Sequence, residues 1–423
     1  MANSPIPLAD WTLLTYIAAH NNLDSAGTRS RDQILATPST DKVKLAVLFD
    51  SWGGATRQIV GQPEEPMHAY DSGDPARLLE TIKWAFEKCP AKRYGLVLWS
   101  HGSGYWDQKE LIKIAKQARG EMAAIEAPER DGAARSMALF RTTLQHILAE
   151  PDAAERAILF DDGTGHSVDT LELAKVCAHA QQLIGQPIDL LGMDACVMAT
   201  LEVAYELRES VRYLVASEEL VPGRSWPYDT ILSKLRAHPE MSGADLATQV
   251  VQDYAAYYAA NPPLLNGGDV TKVALDLARI NELCAPVQAL AAALRQHMPE
   301  EYKALWAAQY EAQIQETHNK RRNPKLSKFG YHLWDVGSLA VRLAEKAQQP
   351  AVKAAAAAIG PALKPGAGAV LAEAHQGEWF DGIGGVSIYM APPRLPVSSA
   401  YGKLALAKDT GWGAMLKDYK AEI

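Results

Sequence analysis

Six short stretches of the chain are apolar at nearly every position rather than at every second one. They are Thr12–Ala19, Val43–Asp50, Tyr94–Ser100, Ala157–Asp161, Ile188–Met193 and Tyr213–Ser217. A strand with one wet face alternates apolar and polar residues, so continuous runs of this length predict strands buried on both faces. Gly, Asn, Asp or Ser close these runs or follow shortly, and most lead into segments with helical spacing of apolar residues. Ala76–Lys88, Thr170–Gln182 and Ala199–Ser210 are such segments. Buried strands alternating with amphipathic helices predict an α/β fold: a mainly parallel sheet covered by helices on both faces. Such sheets carry their chemistry at the carboxyl ends of the strands.

The pattern breaks between about residues 107 and 155. That stretch is charged and Ala-rich, and it carries Arg119-Gly120, Arg130-Asp131-Gly132 and Arg135-Ser136. It reads as an insertion between two core strands, part helix and part exposed loop. A predicted division places the sheet and its insertion in residues 1–235. Residues 236–423 form a mostly helical C-terminal region, broken at Asn261-Pro262-Pro263 and Asn266-Gly267-Gly268. Within it Ala351–Lys364 is nearly polyalanine, and a last strand near 385–390 is expected to return to the body.

Composition narrows the field. The 423 residues are 48% hydrophobic and 22% charged, enough for a large buried core. A formal net charge of −8 argues against a nucleic-acid partner. No apolar run reaches the roughly 18–20 residues that a membrane span needs. Cys89, Cys177, Cys196 and Cys284 form neither a CxxC pair nor an evenly spaced framework, so neither zinc nor a disulfide scaffold is expected. Reduced cysteines and an N-terminus without a basic, then apolar, leader predict a cytoplasmic protein, or a secreted one whose leader has been trimmed.

Two strand ends carry candidate chemistry. One run, Leu96-Val97-Leu98-Trp99-Ser100, ends in His101-Gly102-Ser103-Gly104; another, Asp189-Leu190-Leu191-Gly192-Met193-Asp194-Ala195, ends in Cys196. On neighbouring parallel strands these side chains could meet across the sequence gap. A thiol beside an imidazole is the kit for nucleophilic acyl transfer, because the thiolate attacks and the imidazole handles its proton. A lone Cys in an apolar segment is more often a packed core residue, and Cys89, Cys177 and Cys284, in helix-like contexts, read that way.

The wording of these motifs resembles the clostripain family of cysteine peptidases, in the clan that also holds caspases, gingipains and legumain. The resemblance rests on Gly95–Gly102, on Leu190–Cys196 with Val197-Met198-Ala199, and on Glu202–Leu207. It extends to Val215-Ala216-Ser217-Glu218-Glu219, Pro222–Tyr228, the opening Tyr16–Asp24 and Gly385–Tyr389. It implies a caspase-like core and a peptidase with Cys196 as nucleophile and His101 as its base. The backbone N–H groups of Gly102 and Cys196 would hold the oxyanion. The resemblance further implies protein or peptide substrates cut after Arg, less readily after Lys, with Asp194 in the pocket; a cap on the following helix is the other reading of Asp194. Glu218, Glu219 and Asp229 are expected as a second acidic wall and Trp226 as an apolar side. Family members are often matured between the two strands, which makes Arg119, Arg130 and Arg135 expected self-processing sites.

Calcium dependence occurs in the family, but no EF-hand loop is present and His20 stands where the family usually has an acidic residue. Asp161 and Asp162 read equally as helix entry, and His166, His179 and His332 have no metal-ligand spacing, so no metal site is assigned and calcium stays open as a cofactor. Two other readings stay open: a non-catalytic binding member, and a latent intracellular protease switched on by an activating partner or ligand.

Overall fold

The computed structural model describes residues 8–104, 158–265, 269–312, 333–377, 380–391, 396–398 and 400–423. Its strands, in chain order, are β1 (Ala9–Ala18), β2 (Val43–Ser51), β3 (Gly54–Ile59), β4 (Glu65–Met67), β5 (Ala91–Trp99) and β6 (Ile188–Asp194). They continue with β7 (Val211–Ala216), β8 (Val270–Asp276), β9 (Leu333–Asp335), β10 (Val370–Gln376) and β11 (Ser387–Tyr389). Among the described residues, nine of them form one sheet in the order β10-β8-β7-β6-β5-β1-β2-β3-β4. The central five, β2-β1-β5-β6-β7, are parallel, and both edges are antiparallel.

Six helices accompany this sheet: α1 (Asp24–Leu35), α2 (Pro75–Lys88), α3 (Thr170–Ile184), α4 (Leu201–Leu207), α5 (Tyr228–Ala237) and α6 (Gly243–Ala260). Successive side chains of a strand point to opposite faces, and β1 shows the result. Leu14, Tyr16 and Ala18 join one core with Leu78 and Ile82 of α2, Leu173 of α3 and Ala204 of α4. Trp11, Leu13 and Ile17 join a second core with Ile34 of α1, Ile231 of α5 and Val250 of α6. Two-sided burial is therefore why these strands are apolar throughout. The helix ends are set by local chemistry. Asp169 and Glu172 form a capping box on α3 and Gly185 ends it in the left-handed region, while Asp74 caps α2 ahead of Pro75.

Three expectations change. Of the run expected at Ala157–Asp161, the described residues 158–161 do not add a strand to the sheet; Ile158 makes isolated bridges with Gly102 and Val168. Leu159 has φ 62°, and the Phe160 carbonyl accepts from Asn21 Nδ2 at 2.7 Å, so side chains take the place of a ladder. The C-terminal half supplies β8 and β10 to the main sheet besides its helices, with β8 antiparallel to β7. The strand expected near 385–390 forms as β11, but it pairs with β9 in a separate two-stranded ladder and meets the core through a Thr200–Ser387 bridge.

Candidate active site

Strand register brings the two candidate groups together. Trp99 of β5 pairs with Asp194 of β6, and each strand ends there. Two residues further on each chain stand His101 and Cys196, at the same level of adjoining parallel strands. Both border one recess with Trp99, Asp194, Val221 and Ser225. Gly102 makes this approach feasible: a Cβ there would lie 2.4 Å from the Cys196 carbonyl oxygen and 2.9 Å from the Ala195 Cβ. Val197, next after the thiol, is held at φ 56°, a strained conformation for a β-branched residue.

The thiol and imidazole are differently held. Val221 N donates to Cys196 Sγ at 3.3 Å. Burial pushes the thiol up to about 12, eased by the Val221 N–H and raised again by the Glu219 charge, so the sulfur is a protonated thiol at neutral pH. His101 is buried, its Nε2 lies 2.6 Å from Asn22 Oδ1, and its ring meets Phe160 edge-on.

Asp194 does not cap the following helix, since Thr200 does that for α4 through its hydroxyl. Its carboxylate is buried instead. Oδ2 accepts from the Ser225 hydroxyl, from Tyr228 OH at 2.8 Å and from Trp226 N at 3.3 Å, while Oδ1 has no hydrogen-bond partner among the described residues. Ser225 reaches it from a backbone at φ 64° and also accepts from Trp99 Nε1. Burial raises the Asp194 carboxyl, while the Lys272 charge and these donors pull it back.

The remaining expected pocket groups do not border the recess. Glu218 is buried on the far side, accepting from Ser387 Oγ at 2.7 Å, with Asp335 close enough to raise its carboxyl further. Glu219 Oε1 accepts from Leu220 N, and its charge acts on Cys196 from behind. Trp226 lies beneath, packed on Gly192, where a Cβ would come 2.7 Å from its ring. Asp229 is exposed in the first turn of α5. Of the expected pocket groups, Asp194 alone borders this recess. Arg119, Arg130, Arg135 and His332 lie outside the described residues.

The sequence profile of the clostripain family matches residues 145–393, more than half of the chain. The chain belongs to the clostripain family. Clostripain from Hathewaya histolytica is 37% identical over 90 residues, 19% of this chain and 17% of that protein, so the match spans less than a fifth of either. In overall fold the chain resembles the inactive zymogen of a C11 protease from Parabacteroides distasonis, with TM-score 0.63 at 18% identity over 95% of this chain and 98% of that one. A secreted C11 cysteine protease from Bacteroides thetaiotaomicron, solved with an irreversible peptide inhibitor, gives TM-score 0.60 at 18% identity over 96% and 99%. These likenesses establish a caspase-like α/β fold. Among the described residues, no helix is long and apolar enough to cross a membrane.

In this clostripain-family chain several groups escaped the motif reading. Asn22 and Ser225 lie inside the matched stretches Tyr16–Asp24 and Pro222–Tyr228 and Lys272 in none of them, and only the folded arrangement shows that Asn22 meets His101, that Ser225 meets Asp194 and that the Lys272 charge acts on Asp194. Another such group is His20, Asp50 and Asp161, whose candidate ligand atoms all lie within 4.8 Å of one another. Calcium, the ion associated with the family, takes six to eight oxygens, and this donor set with its imidazole does not fit it.

Proposed function

We propose that this chain is a cysteine endopeptidase that cleaves after Arg, and less readily after Lys. The observation that carries this reading is the shared recess of Cys196, His101 and Asp194 at adjoining strand ends. In the proposed reaction the guanidinium of the substrate lies against Asp194 Oδ1, the oxygen of this carboxylate that accepts from no described residue. A charge-assisted, buried hydrogen bond of this kind favours Arg over Lys. Cys196 Sγ attacks the scissile carbonyl carbon as its proton passes to His101. The amine leaves with that proton, and water then cleaves the thioester with His101 as base. Backbone N–H groups of Gly102 and Cys196 stabilise the oxyanion. Asn22 sets the orientation of the imidazole.

A second reading concerns timing rather than chemistry. A part-exposed thiol that its surroundings raise to about 12 favours a chain that is latent until its site is rearranged. Self-cleavage in the insertion at Arg119, Arg130 or Arg135, or binding of an activating partner, would supply the rearrangement.

Fluorogenic peptides bearing Arg, Lys, Asp or Leu before the scissile bond test both readings. Wild type is expected to turn over the Arg peptide and Cys196→Ala to be inert. Asp194→Asn is expected to lose about 100-fold in kcat/KM for Arg, the worth of one buried charged hydrogen bond. Cleavage after Asp or Leu instead would sink the specificity and leave the dyad. No turnover of any peptide, even with chains cut in the insertion, would favour a binding protein.

A further inference from the structure

We propose that His20, Asp50 and Asp161 bind a divalent transition-metal ion of the zinc or manganese kind, which clamps the turn bearing Asn22 to the segment that follows the insertion. The three donors come from three separate pieces of chain: the residue after Ala19 at the end of β1, the end of β2, and the turn at 161–164. Their ligand atoms lie within 4.8 Å of one another, and a zinc ion at its usual bond lengths holds its ligands about 3.5 Å apart, so little closing is needed.

Asp50 is 3% exposed and its Oδ2 makes no hydrogen bond to any described residue. A buried carboxylate oxygen without a donor is the observation that points to a cation. His20 Nδ1 is likewise buried without a hydrogen bond and stands 3.0 Å from Asp161 Oδ1. Asp161 is fully buried and its Oδ1 is already oriented by the Gly163 and Thr164 N–H groups at 2.8 and 3.1 Å. Trp52 packs edge-on against the imidazole, with ring centroids 4.4 Å apart, and fixes its plane. The His20 side chain keeps 23% exposure, so water can complete the coordination. One imidazole nitrogen with two carboxylates suits zinc or manganese rather than calcium.

The position gives such an ion a task. Asp162 N donates to the His20 carbonyl at 2.9 Å, Trp52 Nε1 to the Asn21 carbonyl at 3.0 Å, and Asn21 Nδ2 to Phe160 O at 2.7 Å. The next residue is Asn22, whose Oδ1 meets His101. A metal bond between His20 and Asp161 therefore stiffens the turn that orients His101. The binding site stands without the peptidase reading; only its effect on activity rests on it.

The test uses the full chain carrying Cys196→Ala, so that zinc cannot be captured by a thiol–imidazole pair, stripped with a chelator and titrated with MnCl2 or ZnCl2 in a calorimeter. One ion per chain and a metal-dependent rise in Tm are expected, with binding at least about tenfold weaker in Asp50→Asn and in His20→Ala. Absence of one-to-one binding, or equal binding by these variants, would overturn the site. Binding of CaCl2 alone, lost in Asp50→Asn, would overturn the metal class. Should the variants fail to fold by circular dichroism, CoCl2 added to the parent chain decides: a visible band at one equivalent supports the site, and its absence refutes it.

Discussion

Asp194 shows how one side chain can be both fastened and available. Three donors hold Oδ2, and Oδ1 is left without one among the described residues in a buried setting. Beneath it lies Lys272, fully buried, its Nζ 4.2 Å from the Tyr254 ring centroid and 5.0 Å from that of Trp226, with no hydrogen bond to a described residue. Burial pushes this ammonium down to about 7, and the charges of Asp194 and Cys196 oppose that. Lys272 in turn makes Asp194 easier to ionise. Lys272→Met is therefore expected to move the acid limb of kcat/KM for an Arg peptide to higher pH, because the carboxyl loses the cation that lowers it. An unmoved limb would show that the lysine charge does not act on the pocket. The thiol gives a second expectation: with Cys196 near 12, its alkylation by iodoacetamide in the uncut chain should keep rising with pH well above neutrality. A plateau near neutral pH would mean that the dyad is already activated.

At the scale of elements, α4 ties the site to the C-terminal region through one carboxylate. Glu202 is fully buried and accepts from Tyr389 N at 2.9 Å and Tyr401 OH at 2.8 Å. Burial raises it to about 7 despite these donors. A carboxyl raised on folding favours the fold while protonated. Its contribution is complete below the unfolded pKa near 4.5 and is lost as pH climbs through about 7. The swing is up to about 3 kcal/mol. Glu202→Gln should flatten the fall in stability between those pH values in urea titrations; an unchanged slope would place the dependence on other acids. Elements also show which signals the chain hides. The five central strands were legible because burial on both faces writes an uninterrupted apolar run. The strands β8 and β10 at one side of the sheet were not, because Lys272, Glu373, His375 and Gln376 interrupt the pattern. Those polar residues are tolerated by cation–π contact in β8 and by intermediate exposure in β10.

Across the whole molecule, the insertion lies between β5 and β6, which pair from Gly95–Leu190 to Trp99–Asp194. A cut in the insertion would therefore leave two pieces joined through the middle of one sheet. Wild type is expected to yield two fragments on denaturing gels that migrate together in native ones, and Cys196→Ala to stay whole. Fragments appearing equally in Cys196→Ala would assign the cut to another protease, and fragments that separate would deny the shared sheet. The chain by itself determined the parallel core and the two strand ends that carry His101 and Cys196, since these follow from local periodicity and short motifs. Tertiary structure alone decided that Glu218 and Asp229 leave the recess, that Asp194 keeps one oxygen unpartnered, and that Asn22, Lys272 and the His20–Asp50–Asp161 group come near the site. Those outcomes depend on strand register and on which groups burial strands without partners, and neither is written in the spacing of residues along the chain.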